Sequence, residues 1–343
     1  MKRLKTTRQI KGAVIGYSSA FEMGKAHLTQ MKQAGMTPTA VCEMDPKRLR
    51  AAEADFPGIE TYDSVSAMLR RSEANLIAII TPHNTHAKLA LQCLRAGRHV
   101  VCEKPMAITT AECDRMIAAA ARRRVMVSTY HNRHWDGCIL QAMAVIRRGA
   151  IGELHRVDSF IGGYGNPGDW WRSNKTVSGG ILYDWGIHLL EYALQIIDAK
   201  IVEVGGFAHN GFWAPRTRWK AETNEDEASA VVRFSSGARL VLTHSQIDAD
   251  PKSYWLTITG TKGVYSFDHS RWKLVTAAGT GRKIREGRNR QSQWHRYYAN
   301  VAAHLVRGER LVISGAWSRR PIHILDLAGR SAKQGRTLRA KHE

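Results

Sequence analysis

The first 130 residues alternate short apolar runs with longer amphipathic stretches. The apolar runs are Ala13–Ile15, Thr39–Cys42, Leu76–Ile80, Val100–Cys102 and Val125–Thr129. The helix-like stretches between them are Lys25–Gln33, Ser64–Arg70, His86–Arg95 and Thr110–Arg123. Gly97 fits a C-terminal cap after the third stretch, and Thr109 with Glu112 has capping-box spacing before the fourth. This alternation predicts parallel strands joined by crossover helices.

The pattern changes after Gly149, where short alternating segments become more frequent. The segments that predict strands are Val202–Phe207, Ala228–Phe234, Arg239–His244, Tyr254–Thr259, Val264–Phe267 and, at the end, Thr337–Arg339. Two helical stretches interrupt them, Gly179–Ile197 and Pro321–Ala332. Because turn residues separate the strands and few helices intervene, we expect a mostly antiparallel sheet with one face covered.

These two patterns predict an α/β chain of two domains, which a length of 343 residues allows. Residues 1–130 would form a doubly wound parallel sheet. Residues 131–343 would form an α+β domain with an open, mostly antiparallel sheet. The final helix, near residues 321–332, is one that can pack back on the first domain.

Composition limits the location and the chemistry. No stretch has the apolar length of a membrane-spanning helix, and the basic start of the chain lacks an apolar signal core, so we expect a cytoplasmic protein without a membrane anchor. The net charge of +21 attracts anions, but the basic clusters lack interleaved aromatic residues, which disfavours a nucleic-acid partner. No cysteine pair has the spacing of a metal or redox site, so we expect no metal and reduced thiols at Cys42, Cys93, Cys102, Cys113 and Cys138.

The first strand leads into a glycine-containing loop, GYSSAFEMG. A Rossmann dinucleotide fingerprint needs glycine for the tight turn and for close approach of the pyrophosphate. Gly16 and Gly24 can meet these needs, although the middle glycine is replaced by Ser18 and the loop is longer than the usual one. The candidate cofactor-binding residues are Gly16, Tyr17, Ser18 and Gly24, and an ordinary glycine-rich turn is the equal alternative.

Glu43 ends the second predicted strand and bears on the choice of cofactor. A carboxylate there can bind the adenosine ribose hydroxyls and would repel a 2′-phosphate, which favours NAD. The nearby Lys47 and Arg48 keep NADP possible. A surface glutamate before the helix start at Asp45-Pro46 is the alternative reading of the position.

Two further segments carry candidate chemistry. Lys104 follows the strand that ends HVVC, and ligands of open α/β sheets bind beyond the carboxyl ends of strands. If residues 179–197 are helical, Asp184 and His188 lie four apart on one face. A histidine suits proton transfer to and from an alcohol, and an aspartate can orient it, although a structural Asp–His pair is the alternative.

The chain resembles the Gfo/Idh/MocA family, which groups glucose–fructose oxidoreductase and inositol dehydrogenase. The matching segments run in order along nearly the whole chain, and the most specific are AGRHVVCEKP and GGILYDWGIH. The first of these two ends a longer matching segment, ITPHNTHAKLALQCLRAGRHVVCEKP. The other matching segments are GYSSAFEMG, VCEMDPKR, YHNRHWDG, GAIGELHRV and ITGTKGVYSFD. Glu191 departs from the aspartate that relatives often carry, a change expected to matter only at the far end of the helix.

The resemblance implies roles for individual residues. Lys104 would be the catalytic lysine, Asp184 the substrate-binding aspartate and His188 the acid/base histidine. Glu103 would sit beside the nicotinamide, Arg133 would lie near the cleft, and a lysine and a histidine would face one nicotinamide ring. The residues implied to border the nicotinamide ribose are Thr81, Pro82, Asn84 and His86. The resemblance also implies a homodimer or homotetramer assembled through the second domain.

A glycine-rich loop, Gly162–Gly168, precedes the aromatic sequence Trp170-Trp171-Arg172. Trp171 and Arg172 are candidates to bind the substrate, since an indole can stack on a sugar ring, and a packed structural loop is the equal alternative. The expected function is hydride transfer between a nicotinamide cofactor and a secondary alcohol of a sugar-like substrate. Two alternatives stay open: a redox-neutral, glycosidase-type enzyme that retains NAD, and a catalytically silent protein that binds a cofactor or nucleic acid.

Overall fold

The computed structural model describes residues 3–17 and 21–341. The first part of the chain alternates strands with helices. Its strands are β1 (Lys11–Ile15), β2 (Thr37–Cys42), β3 (Glu60–Tyr62), β4 (Leu76–Ile79), β5 (His99–Cys102) and β6 (Val127–Thr129). Its helices are α1 (Met23–Gln33), α2 (Pro46–Asp55), α3 (Val65–Arg71), α4 (His86–Arg95) and α5 (Thr110–Arg123).

The remainder of the chain is richer in strands. Its helices are α6 (Gly137–Arg147), α7 (Lys175–Ser178), α8 (Gly186–Ile196), α9 (Arg296–Arg307) and α10 (Gly315–Gln334). Its strands are β7 (Leu154–Gly162), β8 (Ile201–His209), β9 (Glu227–Phe234), β10 (Arg239–Ser245), β11 (Leu256–Gly260), β12 (Gly263–Phe267), β13 (Arg271–Ala278), β14 (Gly281–Arg288) and β15 (Leu338–Arg339).

The chain divides into two compact units. The first comprises residues 1–132 and 295–319, and the second comprises residues 133–294 and 320–343. The expected final helix, Pro321–Ala332, is wrong at its start, because α10 begins at Gly315 and carries Pro321 inside. Proline commonly opens a helix, whereas Pro321 lies inside α10.

The first unit holds a six-stranded parallel sheet in the order β3-β2-β1-β4-β5-β6. The direction of winding reverses between β1 and β4, the position where doubly wound sheets bind nucleotides. Strands β4 and β5, which both lie inside the sheet, are buried along their whole length, as expected for a sheet covered on both faces. The predicted parallel sheet is therefore confirmed, and the three-residue β3 is an addition to it.

The second unit holds a nine-stranded sheet in the order β14-β13-β12-β11-β7-β10-β9-β8-β15. Only the pairing of β7 with β10 is parallel among these strands, so the prediction of a mostly antiparallel sheet is confirmed. Strands β9 and β10 alternate buried and more exposed residues, as a sheet with one covered face requires. Helix α8 is buried along almost its whole length and contacts both β7 and β10.

Candidate active site

Two glycines shape the junction between β1 and α1. Gly16 follows β1 with a φ of +98°, and a Cβ there would lie 2.4 Å from the carbonyl oxygen of Ile80. Gly24 lies in the first turn of α1, where a Cβ would come within 2.7 Å of the Tyr17 ring. Both positions therefore need a residue without a side chain. Ser18, also predicted to bind the cofactor, lies outside the described residues.

Glu43 ties this junction to the carboxyl end of β2. Its Oε2 accepts the Tyr17 N–H at 2.8 Å, and its Oε1 accepts the N–H groups of Met44 and Asp45 at 2.8 and 3.2 Å. The Tyr17 ring is buried and its hydroxyl donates to Asp55 at 2.7 Å. Burial, followed by the bond to that carboxylate, raises the pKa of Tyr17. Glu43 thus lies at the tip of β2 and also fixes the backbone of the glycine loop.

The segment after β4 is folded against itself. Thr81 Oγ1 lies 2.6 Å from Thr85 Oγ1, which in turn donates to the Pro82 carbonyl at 2.7 Å. Because the Thr85 proton is used on the carbonyl, Thr81 must be the donor of the first bond. Asn84 is exposed within the 3₁₀ turn His83–Thr85 that leads into α4. The segment therefore has a fixed backbone with an exposed amide.

His86, the first residue of α4, is fully buried. Its Nδ1 lies 2.7 Å from the Pro105 carbonyl oxygen and its Nε2 lies 2.8 Å from the Thr81 carbonyl oxygen. Burial lowers the pKa of His86, and the two carbonyl contacts oppose this only in part. Both polar atoms of the ring are thus directed at backbone carbonyls of the protein.

Glu103 and Lys104 follow β5. Glu103 Oε2 accepts the Lys104 N–H at 2.9 Å, and Oε1 lies 3.1 Å from Nε2 of His27 on α1. The other His27 nitrogen lies 2.6 Å from the Tyr298 hydroxyl of α9. Burial raises the pKa of Glu103, but the His27 bond, the charges of His27 and Lys104 and the Lys104 N–H outweigh it and leave the pKa lowered. Sequence reasoning missed His27 and Tyr298.

Asp184 is not part of the helix that carries His188. It follows the 3₁₀ turn Ile181–Tyr183, whereas α8 begins at Gly186. The expectation that both residues share a helical face is therefore wrong, because Gly179 and Gly180 at positive φ precede a turn rather than a continuous helix. The carboxylate of Asp184 instead accepts a bond from the guanidinium of Arg172.

His188 lies buried in the first turn of α8, beside an aromatic cluster. The Trp185 ring is 5.6 Å from the His188 ring, edge-on, and 5.4 Å from the Trp255 ring. The guanidinium of Arg133 lies over Trp185, 4.9 Å from the ring centre, within the range of a cation–π contact. The second unit thus brings together His188 and Arg133 through a tryptophan to which the sequence had assigned no role.

A buried carboxylate fixes Arg133. Asp136 accepts a bond from the Arg133 guanidinium at 3.0 Å and further bonds from the Tyr192 hydroxyl and the Trp294 indole. Neighbouring His134 bonds Glu191 of α8 at 2.5 Å. The expectation that Glu191 matters only at the far end of the helix is therefore wrong, because its longer side chain reaches the segment that carries Arg133.

The predicted substrate loop is an aromatic and cationic cluster. The Arg172 guanidinium lies 5.3 and 5.1 Å from the ring centres of Trp170 and Trp171. The Trp219 indole donates to the Trp170 carbonyl at 3.1 Å. Because Arg172 also bonds Asp184, the loop connects an exposed indole, Trp170, to the candidate catalytic aspartate.

Within the described ranges 3–17 and 21–341, no group of three or more His, Cys, Asp or Glu side chains is placed to hold a metal ion. In the same part of the chain, no helix has the length and apolar character needed to cross a membrane. All five cysteines are buried thiols, and burial raises the pKa of Cys42, Cys93 and Cys138 to about 12. Such thiols are poor nucleophiles.

Sequence comparison assigns both units to one family. Residues 10–131 match the model of an oxidoreductase family with an NAD-binding Rossmann fold, and residues 139–266 match the GFO/IDH/MocA C-terminal domain. The chain belongs to the Gfo/Idh/MocA family. Members of this family are NAD-binding oxidoreductases, so the resemblance seen in the sequence is confirmed.

Individual relatives of the family are distant from this chain. A 1-carboxy-3-chloro-3,4-dihydroxycyclohexa-1,5-diene dehydrogenase of Comamonas testosteroni is 28% identical over 65% of the chain. This match spans 56% of that relative's length, and matches to two Schizosaccharomyces pombe oxidoreductases span 40% of each. The scyllo-inositol 2-dehydrogenase (NADP(+)) of Bacillus subtilis is 23% identical over 97% of the chain and 96% of its own length.

Solved structures show the same fold. A levoglucosan dehydrogenase in complex with NADH and levoglucosan superposes with a TM-score of 0.83, covering 96% of this chain and 99% of its own. Its sequence identity is 18%, so this likeness concerns the fold alone.

Proposed function

We propose that the protein is an NAD(P)-dependent dehydrogenase that transfers a hydride between nicotinamide and a secondary alcohol or ketone of a sugar, polyol or sugar derivative. The observation that carries the proposal is the junction after β1, where Gly16 and Gly24 exclude any side chain. The junction lies at the reversal point of the β3-β2-β1-β4-β5-β6 sheet, the position where doubly wound sheets bind nucleotides. Names of relatives that act on inositols add support.

The residues that follow β2, β4 and β5, together with the glycine junction after β1, fit a dinucleotide. Glu43 at the end of β2 can accept bonds from the adenosine ribose, and the exposed Asn84 after β4 can bind the second ribose. Lys104 follows β5, so its charge belongs to the same edge of the sheet. When bound, the nicotinamide ring supplies the site that takes up or releases the hydride.

The catalytic roles proposed for the chain's own residues are charge stabilisation and proton transfer. His188 would take the hydroxyl proton during oxidation, and Lys104 would stabilise the oxygen as it becomes negative. Asp184 would bind a substrate hydroxyl, with Arg172 holding the carboxylate in place. Trp171, Arg172 and Arg133 are proposed to border the substrate.

The proposal is tested with Lys104→Ala and His188→Ala. Each should lower kcat by about a hundredfold or more, the usual scale of general acid–base catalysis. Each should keep the rise in melting temperature that NAD causes, since neither substitution removes the glycine junction. Exposed Lys88 and His155 provide the matched controls, and Lys88→Ala and His155→Ala should leave kcat unchanged.

The outcomes separate the proposed function from its alternatives. Reduction of free NAD by a sugar or polyol supports the dehydrogenase. Turnover of a glycoside without net change in nicotinamide absorbance would establish the redox-neutral enzyme instead. Steeply salt-dependent DNA binding together with no turnover of any polyol would establish the catalytically silent protein.

NAD is the proposed cofactor, because the Glu43 carboxylate would repel a 2′-phosphate. Arg48 lies only 3.8 Å from that carboxylate, which reduces the repulsion and leaves NADP as the weaker alternative. A homodimer or homotetramer is also proposed, to be tested by light scattering. A reaction that draws on the cell's nicotinamide pool fits the cytoplasmic location expected from the sequence.

A further inference from the structure

His86 lies between two backbone segments that the proposed function needs in fixed positions. One is the end of β4, whose Thr81 carbonyl oxygen is 2.8 Å from Nε2. The other is the turn after β5, whose Pro105 carbonyl oxygen is 2.7 Å from Nδ1. The imidazole ring therefore bridges the two backbone segments, with one nitrogen at each carbonyl oxygen.

The chemistry of the two contacts is unusual. Carbonyl oxygens only accept hydrogen bonds, and a neutral imidazole has a single N–H. A neutral ring therefore donates to Pro105 or to Thr81, whereas the imidazolium donates to both; burial, which lowers the pKa of His86, disfavours that charged form and the two carbonyl contacts favour it. The charges that act on the ring are those of the Glu103 carboxylate, which raises its pKa, and of the Lys104 ammonium, which lowers it, and the centre of the His83 ring lies 5.7 Å away.

The Lys104–Pro105 turn is also held from its other side. The Lys104 N–H donates to Glu103 Oε2 at 2.9 Å, and Glu103 is in turn held by His27. The only backbone carbonyl of the turn that His86 contacts belongs to the residue directly after Lys104. Loss of the His86 contact would therefore remove one of the contacts that hold this turn, while the Glu103 bond and the contact of Cys102 Sγ with the Met106 carbonyl oxygen at 3.6 Å remain.

We propose that His86 is a positioning residue for the reaction, which clamps the Lys104–Pro105 turn to the Thr81 end of β4. This inference rests on the proposed function, and it gives His86 a role other than that of a cofactor ligand. Because the ring is fully buried and both nitrogens face the protein, it acts on the reaction through Lys104 and the β4 segment. A small displacement of a catalytic group is enough to lower the rate strongly.

A series of substitutions tests the clamp. His86→Leu removes both contacts, His86→Asn places an amide where Nδ1 faces Pro105, and His86→Gln places one where Nε2 faces Thr81. We expect kcat to fall about ten- to a hundredfold in the leucine variant, with the KM for the polyol changed less than threefold. The asparagine variant should recover a large part of kcat, because it restores the contact next to Lys104.

His99→Leu is the matched control. His99 is also a buried histidine, at the opposite end of β5, where its Nδ1 accepts the Met126 N–H at 2.9 Å. The His99→Leu substitution should lower the melting temperature as His86→Leu does, but it should leave kcat close to that of the wild type. Equal kcat in the two leucine variants would overturn the inference and leave His86 a residue of the core.

Hydrogen exchange keeps the inference separate from the proposed function. In His86→Leu, amides of residues 81–86 and 103–107 should exchange faster, in His86→Asn only those of residues 81–86 should, and in His99→Leu both segments should keep their protection. Unchanged protection in every His86 variant would overturn the clamp even if the enzyme is active. Absence of any dehydrogenase activity in the wild type would refute the proposed function, while faster exchange would still support the clamp.

Discussion

Glu43 carries a charge at a position where the backbone also needs a hydrogen-bond acceptor. Its two oxygens accept three backbone N–H groups, from Tyr17, Met44 and Asp45. An amide side chain keeps one oxygen acceptor at the same place but removes the charge. Glu43→Gln therefore removes the charge that repels a 2′-phosphate while keeping one of the two oxygens that hold the loop.

We expect Glu43→Gln to shift the cofactor preference towards NADP. The ratio of kcat/KM for NADP to that for NAD should rise about tenfold, equivalent to about 1.4 kcal/mol, because the repulsion of the 2′-phosphate is removed while Arg48 stays close. Steady-state kinetics with both cofactors measure the ratio. Glu53→Gln, an exposed charge loss on α2, is the control, and an equal shift in both variants would exclude a specific role for Glu43.

His99 should make the first unit sensitive to acid. Burial, with a further contribution from the charge of His304, lowers its pKa to about 4 from the ordinary 6.5. Between pH 6.5 and about 4 the unfolded chain binds a proton at this histidine that the folded protein does not. The free energy of unfolding is therefore unaffected above pH 6.5 and falls as the pH drops towards 4, by at most about 3 kcal/mol. In His99→Asn, whose side-chain oxygen can still accept the Met126 N–H, unfolding curves should change less over this pH range. Parallel pH profiles for both proteins would contradict the assignment.

Helix α10 packs on β8 through a glycine without a side chain. A Cβ on Gly206 would lie 1.9 Å from the Ala328 carbonyl oxygen, and the Gly206 N–H donates to Ser331 at 2.8 Å. On the neighbouring Gly205, a Cβ would meet Thr337 at an ordinary 3.4 Å. Adjacent strand residues point to opposite faces, which explains why only one of the two glycines is required.

Gly206→Ala should therefore destabilise the protein and Gly205→Ala should not. Forcing a methyl group against the helix backbone costs about 1–3 kcal/mol of unfolding free energy or more. Urea unfolding of both variants measures the difference in their free energies of unfolding. Gly205→Ala is the matched control, because it makes the same change of strand propensity on the same strand. Similar midpoints for the two variants would show that α10 can move away from β8 without loss.

Elements with strong local signals were predictable and those fixed by tertiary partners were not. The Thr109 capping box and the Asp45 cap are both present, because each is satisfied by residues within its own turn. Strands β7, β13 and β14 were missed; β14 is exposed on both faces, so no alternation marks it. The bond between His27 and Glu103 was also not predictable from the sequence, because 76 residues separate the two along the chain.

The charge of the whole molecule should act on its stability through the solvent. The chain has 51 lysines and arginines against 30 aspartates and glutamates. Part of the excess is concentrated on β14, where Arg282, Lys283 and Arg285 are exposed along one edge strand of the nine-stranded sheet. Repulsion among such charges disfavours the compact state, and salt screens it.

We therefore expect the melting temperature to rise as sodium chloride is increased from 10 mM to 0.3 M. The screening length shortens from about 30 Å to well under 10 Å over this range, which weakens long-range repulsion more than contacts such as the Arg319–Asp114 ion pair at 2.5 Å. In the double variant Lys283→Glu and Arg285→Glu the net charge falls by four, so the rise should be smaller. A melting temperature that falls with salt in the wild type would mean that ion pairs, rather than repulsion, dominate the electrostatic contribution to folding.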